Sequence, residues 1–128
     1  MNLIDKWKKI FFSQNYEELE SIISENTIFY SPVVFKEKKG KEQVFLYLSS
    51  AIKVFSKSNF SYINEATSNN YVYAEFQCEL DTIRINGIDY IKHNSNYIEV
   101  FKVFLRPYKA IEVVKKEMEK ILWKILKI

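Results

Sequence analysis

One carboxylate stands apart from the rest. Asp89 falls in the run Ile83 to His93, where Ile83, Ile85, Gly87, Asp89 and Ile91 occupy alternate positions. In a strand those positions share one face. A carboxyl group on an apolar face loses its hydration, so its pKa rises towards neutrality. An acid of that kind in a dry pocket suits proton transfer beside a carbonyl. The same position also suits a structural acid hydrogen-bonded to Asn64, to a tyrosine or to backbone amides. Tyr30 and Tyr62 could donate hydrogen bonds to a ligand oxygen, or form wall with their hydroxyls satisfied at an edge. Trp7 and Phe76 complete the expected lining. Asp89 is therefore the candidate catalytic residue, and Trp7, Tyr30, Tyr62, Asn64, Phe76 and Asp89 are the candidate ligand contacts.

Other chemistries find little support. His93 is the one histidine and Cys78 the one cysteine. Neither metal-ligand spacing nor an internal disulfide is available to them. If the two share a hairpin they lie about 25 Å apart at 3.3 Å per residue, so a Cys–His pair is not expected. Cys78 reads as a small core residue. No metal and no cofactor is expected.

The elements that must hold these residues follow from periodicity. Leu3, Ile4, Trp7, Ile10 and Phe11 mark a helix over 3–13. A second is expected from Tyr16 to Glu25, with Asn15 as N-cap and Leu19, Ile22 and Ile23 inward. Thr27 to Tyr30 reads as a short strand stopped by Pro32, and Val33 to Phe35 as a small extended piece. A third helix spans 42–55 on the stripe Val44, Phe45, Leu48, Ala51, Ile52 and Phe55. The period then changes to two, with strands expected at 59–67, 71–81, 82–93 and 97–106. Ser68-Asn69-Asn70 and Asn94-Ser95-Asn96 carry turn chemistry between them. Pro107 precedes a last helix over 108–126, with Ile111, Val114, Met118, Ile121, Leu122 and Ile125 inward.

The strands can be registered against one another. A two-residue loop at Asp81-Thr82 sets Leu80 opposite Ile83, Phe76 opposite Gly87 and Ala74 opposite Asp89. Both apolar faces then coincide. A three-residue turn at 68–70 pairs Asn64 with Ala74 and brings Phe60 and Tyr62 to the buried side. The last hairpin admits two registers: one turns Ile98, Val100, Lys102, Phe104 and Arg106 inward, the other Tyr97, Glu99, Phe101, Val103 and Leu105. The second set is more apolar and is the one expected inside.

Composition agrees with one domain of 128 residues. Apolar residues make up 48% and aromatics 16%, against two Gly and two Pro, which excludes disorder. The formal charge of +3 is mild and interspersed with acids, so no nucleic-acid partner is expected. Lys115, Lys116, Lys120, Lys124 and Lys127 read as a solvated helix face. No apolar run approaches the ~20 residues of a membrane span, and the N-terminus does not read as a signal peptide. One unpaired cysteine suits a cytoplasmic location. Helices followed by a strand meander imply an α+β domain: a curved antiparallel sheet of about four long strands plus a short one, packed on N-terminal helices and a C-terminal helix.

Three stretches, in order, resemble the SnoaL-like branch of the nuclear-transport-factor-two-like superfamily. They are Ile28-Phe29-Tyr30-Ser31-Pro32-Val33, then Lys39-Gly40-Lys41-Glu42, then Asn86-Gly87-Ile88-Asp89-Tyr90-Ile91 followed by Ile98 through Leu105-Arg106-Pro107. The resemblance implies a cone-shaped α+β barrel over residues 1–128, a pocket between sheet and helices, and a homodimer. It implies that a small apolar molecule occupies the cone, or that Asp89 serves an isomerase, cyclase or dehydratase as general acid or base. The epoxide-hydrolase pattern of that superfamily has Arg two residues before the strand Asp, where Gly87 stands here, and a second Asp on the next strand, absent between Tyr97 and Arg106. The isomerase pattern has a tyrosine on the first helix, where this chain has Trp7 and Phe11. Trp123 and the outward residues Tyr71, Tyr73 and Glu75 are the expected partner contacts.

Overall fold

A computed structural model describes residues 2–126; Lys127 of the expected lysine face lies outside them. Helix α1 (Leu3–Ser13) starts where the Asn2 side chain accepts a hydrogen bond from the Asp5 amide at 2.9 Å, and it buries Leu3, Ile4, Trp7, Ile10 and Phe11. Asn15 caps α2 (Tyr16–Ser21) through the Glu18 amide at 3.1 Å.

Helix α2 stops four residues short of expectation, and strand β1 (Ile23–Tyr30) begins four residues early. The reason is tertiary. Ile22 and Ile23 are buried, and the Ile22 carbonyl accepts from the Ile98 amide at 2.8 Å. Pairing with another strand outweighs a weak local helical preference in β-branched residues. Val33 to Phe35 is irregular rather than extended, with Phe35 fully exposed; the short piece is β2 (Lys38–Lys39), antiparallel to β1.

Helix α3 (Lys41–Phe55) follows Gly40, whose φ of 87° suits a residue without Cβ. Four long strands come next: β3 (Ser61–Thr67), β4 (Tyr71–Leu80), β5 (Ile83–His93) and β6 (Ile98–Arg106). Helix α4 (Tyr108–Leu126) completes the described chain. Its buried line is Ala110, Val113, Val114 and Met118, with Ile111, Ile121 and Leu122 half-buried and Ile125 exposed, so its packing on the core fades after Leu122.

The sheet has six strands in the order β2-β1-β6-β5-β4-β3. The four-strand meander is antiparallel as expected, but β1 runs parallel to β6, which makes the sheet mixed. Phe29 and Phe101 pair side by side there and are both buried. The helices cover one face, and among the described residues no helix is long and apolar enough to cross a membrane.

The β4–β5 register is the one derived from alternation: Leu80↔Ile83, Phe76↔Gly87 and Ala74↔Asp89. The neighbouring hairpins each contain a bulge. On β3, Tyr62 faces Phe76 as expected, but the ladder then shifts, so Asn64 faces Glu75 and Glu65 faces Ala74. On β6, Phe101 and Val103 point inward as expected, but the shift beside His93 also turns Ile98 inward, and Tyr97 is exposed. A bulge moves every residue beyond it to the other face.

Candidate functional site

Asp89 sits at the middle of β5, only 5% exposed, between Ala74 of β4 and Val103 of β6. Its Oδ2 accepts a hydrogen bond from the Tyr62 hydroxyl at 2.5 Å. The Tyr62 oxygen in turn accepts from the Trp7 indole Nε1–H at 2.9 Å. Indole N–H can only donate and an ionised carboxylate can only accept, so with Asp89 ionised the tyrosine proton points to the carboxylate. Trp7 is held by α1 and packs edge-on against Phe101 at 4.7 Å between ring centroids. Tyr62 faces Phe76 across the ladder, Phe76 in turn lies over Gly87, and Ala74 stands between β3 and Asp89 in the next row. A Cβ at Gly87 would lie 2.4 Å from the Phe76 ring.

Around Asp89 the walls are aromatic: Trp7, Phe11, Phe55, Phe60, Phe76 and Phe101, with aliphatic side chains filling the rest. Phe60 stacks on Phe76 at 4.7 Å, and Phe11 meets Phe60 at 4.5 Å. These rings leave a cavity of about 20 Å³, room for about one water molecule. No lysine, arginine or histidine lines it. Burial pushes the Asp89 carboxyl up to about 7, with the Tyr62 hydrogen bond holding it back in part. Burial and the adjacent carboxylate push Tyr62 well above the usual tyrosine value, so it remains protonated. The pair can therefore take up or release one proton near neutrality, at Asp89.

Of the residues singled out from sequence, Trp7, Tyr62, Phe76 and Asp89 come together. Asn64 does not. It lies beyond the β3 bulge, exposed, with its side-chain oxygen accepting from the Glu65 amide at 3.0 Å. Tyr30 does not either. Phe29 takes the inward position on β1, and Tyr30 lies on the outer face with the Lys102 ammonium 4.5 Å from its ring centre. Sequence reasoning missed the link from Trp7 to Tyr62. The one available signal was that both residues were assigned inward-facing positions.

His93 and Cys78 sit at different ends of the hairpin, paired with Ile98 and Ile85 respectively. Cys78 is buried, and burial raises its thiol pKa. Among the described residues no group of acidic, His or Cys side chains could hold a metal ion. A larger concavity of about 570 Å³ is open and mixed in character, with Glu75, Glu79, Arg84 and Arg106 beside Ile63 and Ile85. Its charges suit water better than an apolar guest.

No family model matches the chain, and no curated protein matches it. Solved structures do. A steroid delta-isomerase from Pseudomonas aeruginosa superposes with a TM-score of 0.89 over 98% of this chain and 92% of its own, at 23% identity. A protein with a cystatin-like fold from Silicibacter pomeroyi gives 0.83 over 91% and 82%, at 24% identity. A candidate SnoaL-like polyketide cyclase from Shewanella putrefaciens gives 0.64 over 90% and 82%, at 9% identity. This is the nuclear-transport-factor-two-like fold. At such identities the likeness speaks to architecture, and chemistry in a nuclear-transport-factor-two-like cone has to be argued from its side chains. Here those are one acid, one tyrosine, one tryptophan and a wall of phenylalanines.

Proposed function

We propose that the protein binds a small, largely apolar ligand inside the cone, with the ligand's one polar group against Asp89. The observation that carries this reading is a buried carboxyl group set in aromatic walls beside a residual cavity. The Tyr62 hydrogen bond offsets only part of the free-energy cost of burying that group, and a fully packed core gains nothing from it. The cavity of about 20 Å³ admits only the polar head. The body enters by displacing Phe60, which is half-buried beside the 56% exposed Phe12. The protein works in this reading as a homodimer in the cytoplasm, joined through the outer sheet face.

Benzyl alcohol, cyclohexanone and benzylamine test the site by calorimetry, with the Trp7 indole N–H followed by NMR. Saturable binding of at least one probe, shifting the indole signal and lost on plugging the cavity with Ala51→Leu, is the expected result. If all three fail to bind to the folded protein, the interior is a filled core and the protein an interaction module.

One observation favours a second reading, a cofactor-independent isomerase or cyclase. A carboxyl group that titrates at about 7 is suited to acid–base catalysis at that pH. The assay is deuterium exchange at the carbon beside the cyclohexanone carbonyl. The wild type accelerates it, and Asp89→Asn abolishes the acceleration while the ketone still binds. Absence of acceleration by the wild type, with the ketone bound, removes the catalytic reading and leaves the binder.

A further inference from the structure

The balance of donors and charges at Asp89 narrows the ligand class. A carboxylate offers about four lone-pair sites, and the side-chain bond that Asp89 accepts comes from Tyr62. Tyr62 has nothing left to donate, because its proton goes to Asp89 and its oxygen already accepts from Trp7. A ligand therefore meets acceptor capacity and negative charge. It meets no positive charge: the cavity lining contains no basic residue. Lys8 is part-exposed and paired with Glu65 at 2.5 Å, with its ammonium 5.6 Å from the Tyr62 ring centre. Six of the eleven lining residues are aromatic, and aromatic rings attract cations more than neutral heads of the same size.

We infer that the cone is built for a small organic cation, a protonated amine on an apolar body, whose ammonium head donates to Asp89 inside the aromatic wall. This rests on the binding reading above. An ammonium group is about the size of the one water that the cavity can hold, and it supplies both the hydrogen-bond donors and the counter-charge that the buried carboxylate lacks. A neutral carbonyl compound can be bound only by the protonated acid. An anion would find no compensating charge.

Binding of the amine to the ionised carboxylate obliges a protonated Asp89 to release its proton to the buffer. The titratable groups facing Asp89 are Tyr62 from β3 and Cys78 from β4, both kept protonated by burial. Helices α1 and α3 and strand β6 contribute only uncharged side chains to the lining. With the free carboxyl at about 7, amine affinity rises about tenfold from pH 6 to pH 8, following the ionised fraction.

Calorimetry with benzylamine and its neutral isostere benzyl alcohol is the test. The inference expects benzylamine to bind at least tenfold more tightly at pH 8, to weaken about tenfold at pH 6, and to release up to one proton there, read from buffers of different ionisation heat. Asp89→Asn removes the preference. Should that variant misfold, the pH dependence and proton release of the wild type decide. Benzyl alcohol binding as tightly as benzylamine, or benzylamine binding without proton release at pH 6, overturns the cation and leaves the apolar site. Failure of both probes, with cyclohexanone failing too, overturns the site itself.

Discussion

Asp89 carries a cost that should be visible in the protein's stability. Its carboxyl group titrates at about 7 in the folded chain and near 3.8 when unfolded. Between those values the folded state holds a proton that the unfolded state has lost. The stabilising contribution is thus complete below pH 4 and disappears as pH rises through 7. About three pKa units correspond to a loss of up to about 4 kcal/mol. Urea unfolding at pH 5 and pH 8 should show the wild type weaker at the higher pH, and Asp89→Asn should flatten that difference. Gly87 makes a second residue-scale prediction. An added Cβ would approach the Phe76 ring to 2.4 Å and the Phe104 carbonyl oxygen to 2.5 Å, and the latter is backbone that cannot swing aside. Gly87→Ala should cost about 3 kcal/mol, seen as a melting point lower by roughly 10 °C. Both residues were legible in the sequence, because alternation alone sets Phe76 against Gly87 and Ala74 against Asp89. Asn64 was misplaced because the β3–β4 ladder shifts by one residue between Tyr62 and Asn64, and no residue type announces that bulge.

At the scale of elements, α1 and the edge strand β3 meet through side chains. The Trp7–Tyr62 hydrogen bond and the Lys8–Glu65 ion pair join them. Trp7→Phe keeps a ring in place and removes the donor, so it should cost about 1–2 kcal/mol in urea unfolding. It should also free the tyrosine oxygen. Lys8→Met should cost less than about 1 kcal/mol, since the ion pair is about a third exposed and screened by water. Strand β3 itself is exposed at every residue except Tyr62. The α2–β1 boundary shows the limit of periodicity at this scale. Residues 22 and 23 satisfy an inward helical stripe and a buried strand equally well, and the partner strand β6 lies about 75 residues away in sequence.

For the molecule as a whole, the outer sheet face matters most. Glu75, Ile88 and Phe104 form one cross-strand row, with Ile88 and Phe104 37% and 50% exposed. Beside them Tyr73 and Tyr90 pack at 4.9 Å, and Tyr71 joins the cluster. Contiguous apolar surface on a sheet without covering helices is costly in water and fits the proposed homodimer. Ile88→Lys with Phe104→Glu should convert a dimer to a monomer in sedimentation velocity while leaving circular dichroism unchanged. A wild type that sediments as a monomer at micromolar concentration would remove the dimer.

Local pattern was enough for the order of elements, the antiparallel meander, the β4–β5 register and the burial of Asp89, because each depends on spacing within one or two adjacent segments. Tertiary structure decided the rest. It set β1 parallel to β6, turned Tyr30 outward, shifted Asn64 past a bulge and brought Trp7 through Tyr62 to Asp89. It also decided how little space remains in the cone, because packing volume depends on all the rings at once. Contacts between segments far apart in sequence are made by shape and pairing geometry, and those are properties of the folded chain alone.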